Sequence, residues 1–203
     1  MTNQEQTIDQ ARQRRGRLTL LALLIFFVVP IVTVVMMIKY DWKPEGQSSG
    51  HLIAPPQELN NPKMLLMDDA QVVTPLLWKE RWSVVYIAEQ CEAECYEKLK
   101  NMRQLHVSLY KNITRTQRVL ITKSKDVTRF KQDFPDMYIL NQPDAAVDAL
   151  IAQFAVDEQD PAKAQRLYFV DSLGFLMMHY EPEIPLKDVR KDLVRLLKTS
   201  WAG

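Results

Sequence analysis

The chain has 203 residues, 47% hydrophobic and 25% charged, with a net charge of +1; this is globular composition, enough for one ordinary domain and an appendage, and it excludes wholesale disorder. No Lys/Arg block lies outside the N-terminus, so the charge gives no sign of a nucleic-acid surface, and five glycines without a Gly-rich loop leave nothing to cradle a nucleotide. The charge is uneven: residues 1–17 carry +2, residues 39–43 carry +1, and the remainder is −2.

The first predicted element accounts for that asymmetry. Residues 18–38, "LTLLALLIFFVVPIVTVVMMI", form an uncharged run of 21, about 30 Å as a helix and enough to cross the hydrocarbon core of a bilayer. A membrane helix tolerates Pro30 better than a soluble one does. Arg12, Arg14, Arg15 and Arg17 precede the run and favour the cytoplasmic side, which puts residues 44–203 outside. A cleaved signal peptide is the rival, but its apolar core would run only about 7–15 residues. Residues 1–17 are thus expected as a cytoplasmic tail, 18–38 as a transmembrane helix, 39–63 as a tether rich in Pro, Gly, Ser and Asn, and 64–203 as a folded domain.

Within the domain, "WSVVYIAE" (82–89) predicts a buried strand from its apolar, β-branched and aromatic content. Residues 93–111 place Leu99, Met102, Leu105, Leu109 and Tyr110 at helical spacing. "RVLITKS" (118–124) predicts a second strand, and 126–134 a short helix capped by Asp126. "DMYILN" (136–141) reads as a strand, and 145–156 as a helix after the Pro143-Asp144 signal. Residues 166–180 read as a hairpin turning at Asp171-Ser172-Leu173-Gly174. An amphipathic helix over 185–201 closes the chain, with Leu186, Val189, Leu193, Leu196 and Leu197 on one stripe. This order predicts an α/β fold with a central mixed sheet flanked by helices.

Cys91 and Cys95 are the only cysteines. They fall just after the first long strand and at the start of the first long helix, the strand end where α/β sheets collect ligands and chemistry. In a regular helix this spacing sets the Cβ atoms roughly 5–6 Å apart, whereas a disulfide needs about 3.5–4.5 Å. An oxidised pair therefore needs Cys91 in the loop or a loosened first turn. A helix N-terminus favours thiolate by about 0.3–1 kcal/mol. Glu89, Glu92, Glu94 and Glu97 oppose it, each by about 0.6 kcal/mol at ~7 Å in water. Lys98 and Lys100 offset them only in part, and no nearby arginine repairs the balance, so the thiols are not expected to be strongly acidified. The same acidic collar would attract a cation, and two thiolates suit Cu(I). Exchangeable redox pair, copper contact and static disulfide all stay open. Among further ligands, His51 lies in the tether, His106 is roughly 16 Å along the helix from Cys95, and His179 shares a strand face with Met177 by alternation.

Residues 81–99, "RWSVVYIAEQCEAECYEKL", together with 166–180 and the lead-in "GHLIAPPQEL" (50–59), resemble the Sco/SenC group of thioredoxin-like proteins. The resemblance spans about residues 45–199. It implies a thioredoxin-like domain held by one N-terminal helix in the inner membrane, facing the periplasm and serving cytochrome c oxidase assembly. The membrane and an oxidase subunit or another assembly factor are the implied partners. It further implies Cys91 and Cys95 as a catalytic pair exchanging electrons with a partner's copper-site cysteines, Cys91 attacking and Cys95 resolving. The alternatives are copper delivery through the same two thiols, or a non-catalytic assembly factor that only binds oxidase subunits. The family's copper site adds a histidine just before the strand matching 167–170. Here "DEQDPAKAQ" (157–165) has none, with Lys163 near that position and Pro161 several residues ahead of the family's proline.

Overall fold

The computed structural model describes residues 2–40, 48–61, 66–67, 75–142 and 144–199, so Pro143 and Trp201 lie outside the described residues. The chain divides into two compact units, Met1–Gln47 and Ser48–Gly203.

The first unit holds α1 (Thr2–Lys39). Its segment Arg14–Lys39 is long and apolar enough to cross a membrane, and its apolar side chains are largely exposed. This matches the uncharged run expected at 18–38. Pro30 sits inside the helix, and one turn on Thr33 donates its hydroxyl to the Val29 carbonyl at 2.8 Å, a local satisfaction typical of membrane helices.

The second unit is built on one seven-stranded sheet. Its strands are β1 (His51–Glu58), β2 (Leu66–Met67), β3 (Trp82–Ala88), β4 (Thr116–Thr122), β5 (Met137–Gln142), β6 (Leu167–Val170) and β7 (Phe175–Tyr180). The spatial order is β1-β7-β6-β3-β4-β5-β2. β3, β4 and β5 run parallel, while β6, β7, β1 and β2 are antiparallel to their neighbours. Between them lie α2 (Ala93–Val107), α3 (Thr128–Asp133), α4 (Asp144–Ile151) and α5 (Leu186–Thr199). The thioredoxin-like α/β architecture read from the sequence is therefore present.

β3 is buried at every position, as a central strand covered on both faces must be. Alternation splits its side chains between two cores. Val84 and Tyr86 join Leu99, Met102 and Leu105 of α2, Phe130 of α3, and Val189, Leu193 and Leu197 of α5. Val85 and Ile87 join Val147 and Leu150 of α4, with Trp78, Phe154 and Tyr168. Each such side chain contributes about 1.5–3 kcal/mol on burial. The β6–β7 turn needs Gly174, whose φ of +94° a side chain would strain.

Some boundaries differ from the sequence reading. Within the expected tether 39–63, residues 51–58 form β1, which pairs with β7 from His51 opposite His179 to Glu58 opposite Phe175. Its pairing is irregular between Leu52 and Gln57, across Pro55 and Pro56. Prolines fit there because an edge strand leaves half its N–H groups unpaired. Just before it, Asp192 of α5 is buried and clasps the chain: Ser48 Oγ, Ser49 N–H and Tyr180 OH donate to its carboxylate at 3.0, 2.8 and 3.1 Å. Gly50 passes so close to Tyr180 that a Cβ would come within 2.7 Å of the ring. The long helix ends at Val107 rather than 111, and Tyr110, placed on its buried stripe, is instead 77% exposed at the start of a 3₁₀ turn.

Candidate functional site

Cys91 and Cys95 are joined as a disulfide with Cα atoms 5.0 Å apart. α2 starts at Ala93, so Cys91 precedes the helix while Cys95 lies in its first turn. The loop position removes the conflict between helical i, i+4 spacing and disulfide geometry. Cys95 is buried against the α2–α5 core, and Cys91 is partly exposed. An approaching sulfur therefore meets Cys91 first.

The loop is fixed by strand ends rather than by its own residues. β3 and β4 pair in parallel up to Ala88 opposite Thr122, and Lys123 N–H continues the ladder to the Glu89 carbonyl at 3.1 Å. Just beyond, Ser124 Oγ accepts from Cys91 N–H at 2.8 Å. Ser124 N–H donates to Thr122 Oγ1 at 3.1 Å, and Asn141 of β5 donates its amide to the Ser124 carbonyl at 3.3 Å. The ends of two neighbouring strands thus hold the residue carrying the accessible sulfur.

An open depression beside the disulfide is lined by Cys91, Glu92, Tyr96, Lys100, Asp126 and Arg129. Arg129 corrects the expectation that no arginine stands nearby, since α3 delivers it across the fold. The acidic collar is also partly neutralised. Lys100 pairs with Glu97 at 2.8 Å, and Lys123 reaches Glu89 at 3.5 Å and Asp148 at 2.6 Å. Hydrogen bonds from the Thr128 backbone and hydroxyl hold the exposed Asp126 carboxyl below the usual carboxylate range. Behind the site, burial and then the Glu94 charge push the Tyr86 phenol up to about 12, which keeps it neutral and unfit as a base.

The histidines lie elsewhere. His106 Nε2 is 3.2 Å from the carbonyls of Ile113 and Thr116, bracing the end of α2. His51 stacks on His179 with ring centroids 5.2 Å apart. His179 also touches Tyr168, which belongs to the α4-side core, whereas Cys95 belongs to the opposite one. The shared face inferred for Met177 and His179 rested on strict alternation, which an irregularity in β6–β7 pairing interrupts. Lys163, near the family's histidine position, is exposed and pairs with Asp160 at 3.5 Å. Among the described residues no group of three or more His, Cys, Asp or Glu is arranged to hold a metal ion. Among the described residues no third His, Cys, Asp or Glu joins the two sulfurs as a metal site.

Sequence reasoning missed Ser124, Tyr96 and Arg129. Parallel pairing of the predicted strands would have pointed to Ser124, since it follows β4 as Cys91 follows β3. Nothing local pointed to Arg129.

Residues 82–200 match a family model described as "transmembrane-like, thioredoxin-like, C-terminal domain". No curated protein sequence matches the chain. Among solved structures, copper-bound yeast Sco1 is similar with a TM-score of 0.57 at 17% identity, covering 78% of this chain and 96% of that one. A SCO1/SenC family lipoprotein from Bacillus anthracis gives 0.54 at 16% identity, covering 71% and 99%. BsSco, described as having a disulfide switch and as a member of the Sco family of cytochrome c oxidase assembly proteins, gives 0.50 at 15% identity, covering 70% and 96%. At these identities the likeness establishes the fold.

Proposed function

Because the chain belongs to the transmembrane-like, thioredoxin-like C-terminal domain family, we propose that it is a single-pass inner-membrane protein with a periplasmic thiol-disulfide exchange domain that assists cytochrome c oxidase assembly. The observation that carries this reading is the Cys91–Cys95 disulfide at the β3–α2 junction, with one sulfur accessible and the other buried. The arginines before the apolar run support the orientation. The Sco-type fold supports the oxidase context, since BsSco is described as belonging to a family of oxidase assembly proteins.

In the reduced chain, the Cys91 thiolate attacks one sulfur of a partner disulfide and displaces the other as thiolate, giving a mixed disulfide. Cys95, once deprotonated, attacks Cys91 Sγ and releases the partner's second thiolate. Two electrons pass to the partner, and the chain is left with its Cys91–Cys95 disulfide. An external dithiol must then return it to the reduced form.

Copper delivery is the second reading, favoured by similar structures solved with copper bound. Copper would then be cargo on the Cys91 and Cys95 thiolates. The donor set fits it poorly, since two sulfurs are present without a neighbouring histidine among the described residues.

The exchange reading is tested by complementing a deletion strain and measuring oxidase activity, with non-reducing gels alongside. Cys91→Ser abolishes function in a folded, membrane-bound protein. Cys95→Ser traps a mixed disulfide, because the attacking thiol remains and its resolving partner does not. Full complementation by the double variant rejects exchange and leaves a non-catalytic assembly factor.

A further inference from the structure

We propose that Arg129 is a positioning residue for Cys91: it holds a guanidinium at the mouth of the disulfide so that reduced Cys91 ionises more readily than its acidic sequence neighbours would allow. This deepens the exchange reading and rests on it.

The Arg129 guanidinium carbon lies 4.5 Å from the centre of the Tyr96 ring, a cation–π distance. Tyr96 follows Cys95 directly in α2. Its hydroxyl donates to Asp133 Oδ2 at 2.5 Å, and its ring lies 5.6 Å from that of Phe134 and 6.4 Å from that of Phe130. Arg129 Nε stands 3.7 Å from the same Asp133 carboxylate. A platform fixed beside Cys95 thus carries a cation from α3, and both Arg129 and Cys91 line one depression.

The other charges facing that space partly cancel. Lys100 is paired with Glu97 at 2.8 Å. Glu92 and Asp126, the latter kept ionised by accepting from the Thr128 backbone at 3.1 Å, line the depression and oppose ionisation, and the Asp133 carboxylate takes up part of the Arg129 charge. In the disulfide the sulfurs carry no charge, so Arg129 has nothing there to neutralise. Reduction by an external dithiol breaks the S–S bond with two electrons and two protons, giving two thiols. Loss of the Cys91 proton to water then leaves an anion in the depression. A unit charge at ~7 Å in water shifts such an ionisation about threefold. Stabilising the thiolate also favours the reduced pair, which makes the disulfide a better oxidant.

The test uses the full-length chain in detergent with Cys95→Ser, leaving Cys91 as the only thiol, and follows alkylation by iodoacetamide across pH. Arg129→Gln lowers the rate at pH 7 about threefold and moves the midpoint to higher pH, with rates converging once the thiol is fully ionised. Arg129→Lys keeps the charge and most of the effect, and raised salt narrows the difference between the parent and Arg129→Gln. Overlapping profiles for the parent and Arg129→Gln overturn the proposal. Equal shifts in Arg129→Gln and Arg129→Lys also overturn it, because ring stacking rather than charge would then be responsible. A Cys91 that fails to react in every variant overturns it as well. The reagent needs no partner, so failure here is distinct from failure of the exchange reading, which shows as complementation by the double cysteine variant.

Discussion

Cys91 is tied to Ser124 across the parallel β3–β4 pair, its backbone N–H donating to the serine hydroxyl at 2.8 Å. The bond fixes the accessible half of the disulfide to a strand end rather than leaving it on a free loop. Ser124→Ala removes the acceptor and costs about 1 kcal/mol, read as a lower midpoint in thermal unfolding of the oxidised protein. The same variant is expected to be reduced faster by dithiothreitol, because the loop no longer holds its position. Unchanged stability and unchanged reduction rate would reject the anchoring role.

Copper binding separates the two functional readings. The reduced full-length chain should bind Cu(II) no more tightly than a Cys91→Ser, Cys95→Ser control, because the segment 157–165 contains no histidine and none of the three histidines is part of a metal-ready cluster among the described residues. Tight, stoichiometric Cu(II) binding in a titration would show that a ligand has been overlooked.

Acid should weaken the domain before its carboxylates titrate. Burial holds both His106 and His179 below the ordinary histidine value. His106 faces Arg118, Asp136 and two carbonyls; His179 faces Arg166, Glu181, Asp157, Tyr168 and His51. Unfolded histidine takes up its proton near pH 6.5. The folded form resists until lower pH, so the unfolded state binds more protons in that window and stability falls as pH drops through it. The unfolding midpoint should therefore decline between about pH 7.5 and 5.5, above the range where carboxylates protonate. His179→Gln should flatten part of that decline, and an identical slope in the variant would exclude His179 as its source.

The proposed topology rests on the arginines ahead of the apolar run. A phosphatase that matures only outside the cytoplasm, fused after residue 203, should be active. Activity of a cytoplasm-restricted reporter at the same position would reverse the assignment.

Local pattern was enough for several features. The continuous apolar run of β3 announced a strand buried on both faces, Gly174 announced the hairpin turn, and the uncharged run at 18–38 announced the long apolar helix. The placement of both cysteines at a strand-to-helix junction was equally legible, because periodicity and a change of composition are properties of neighbouring residues. Tertiary pairing decided the rest. "HLIAPPQE" has a linker's composition and becomes β1 only by hydrogen bonding to β7, more than a hundred residues away. Asp192, a charge on the amphipathic closing helix, is buried because Ser48, Ser49 and Tyr180 converge on it. Glu92 and Glu97 were visible beside the cysteines from the start, whereas Ser124 reaches Cys91 from 33 residues further along the chain and Arg129, 38 residues further, lines the same depression. The strand-to-helix junction that positions the sulfurs is thus local, while the charge and the hydrogen-bond acceptor beside them are brought in by a crossing helix and by parallel strand pairing, which no sequence window contains.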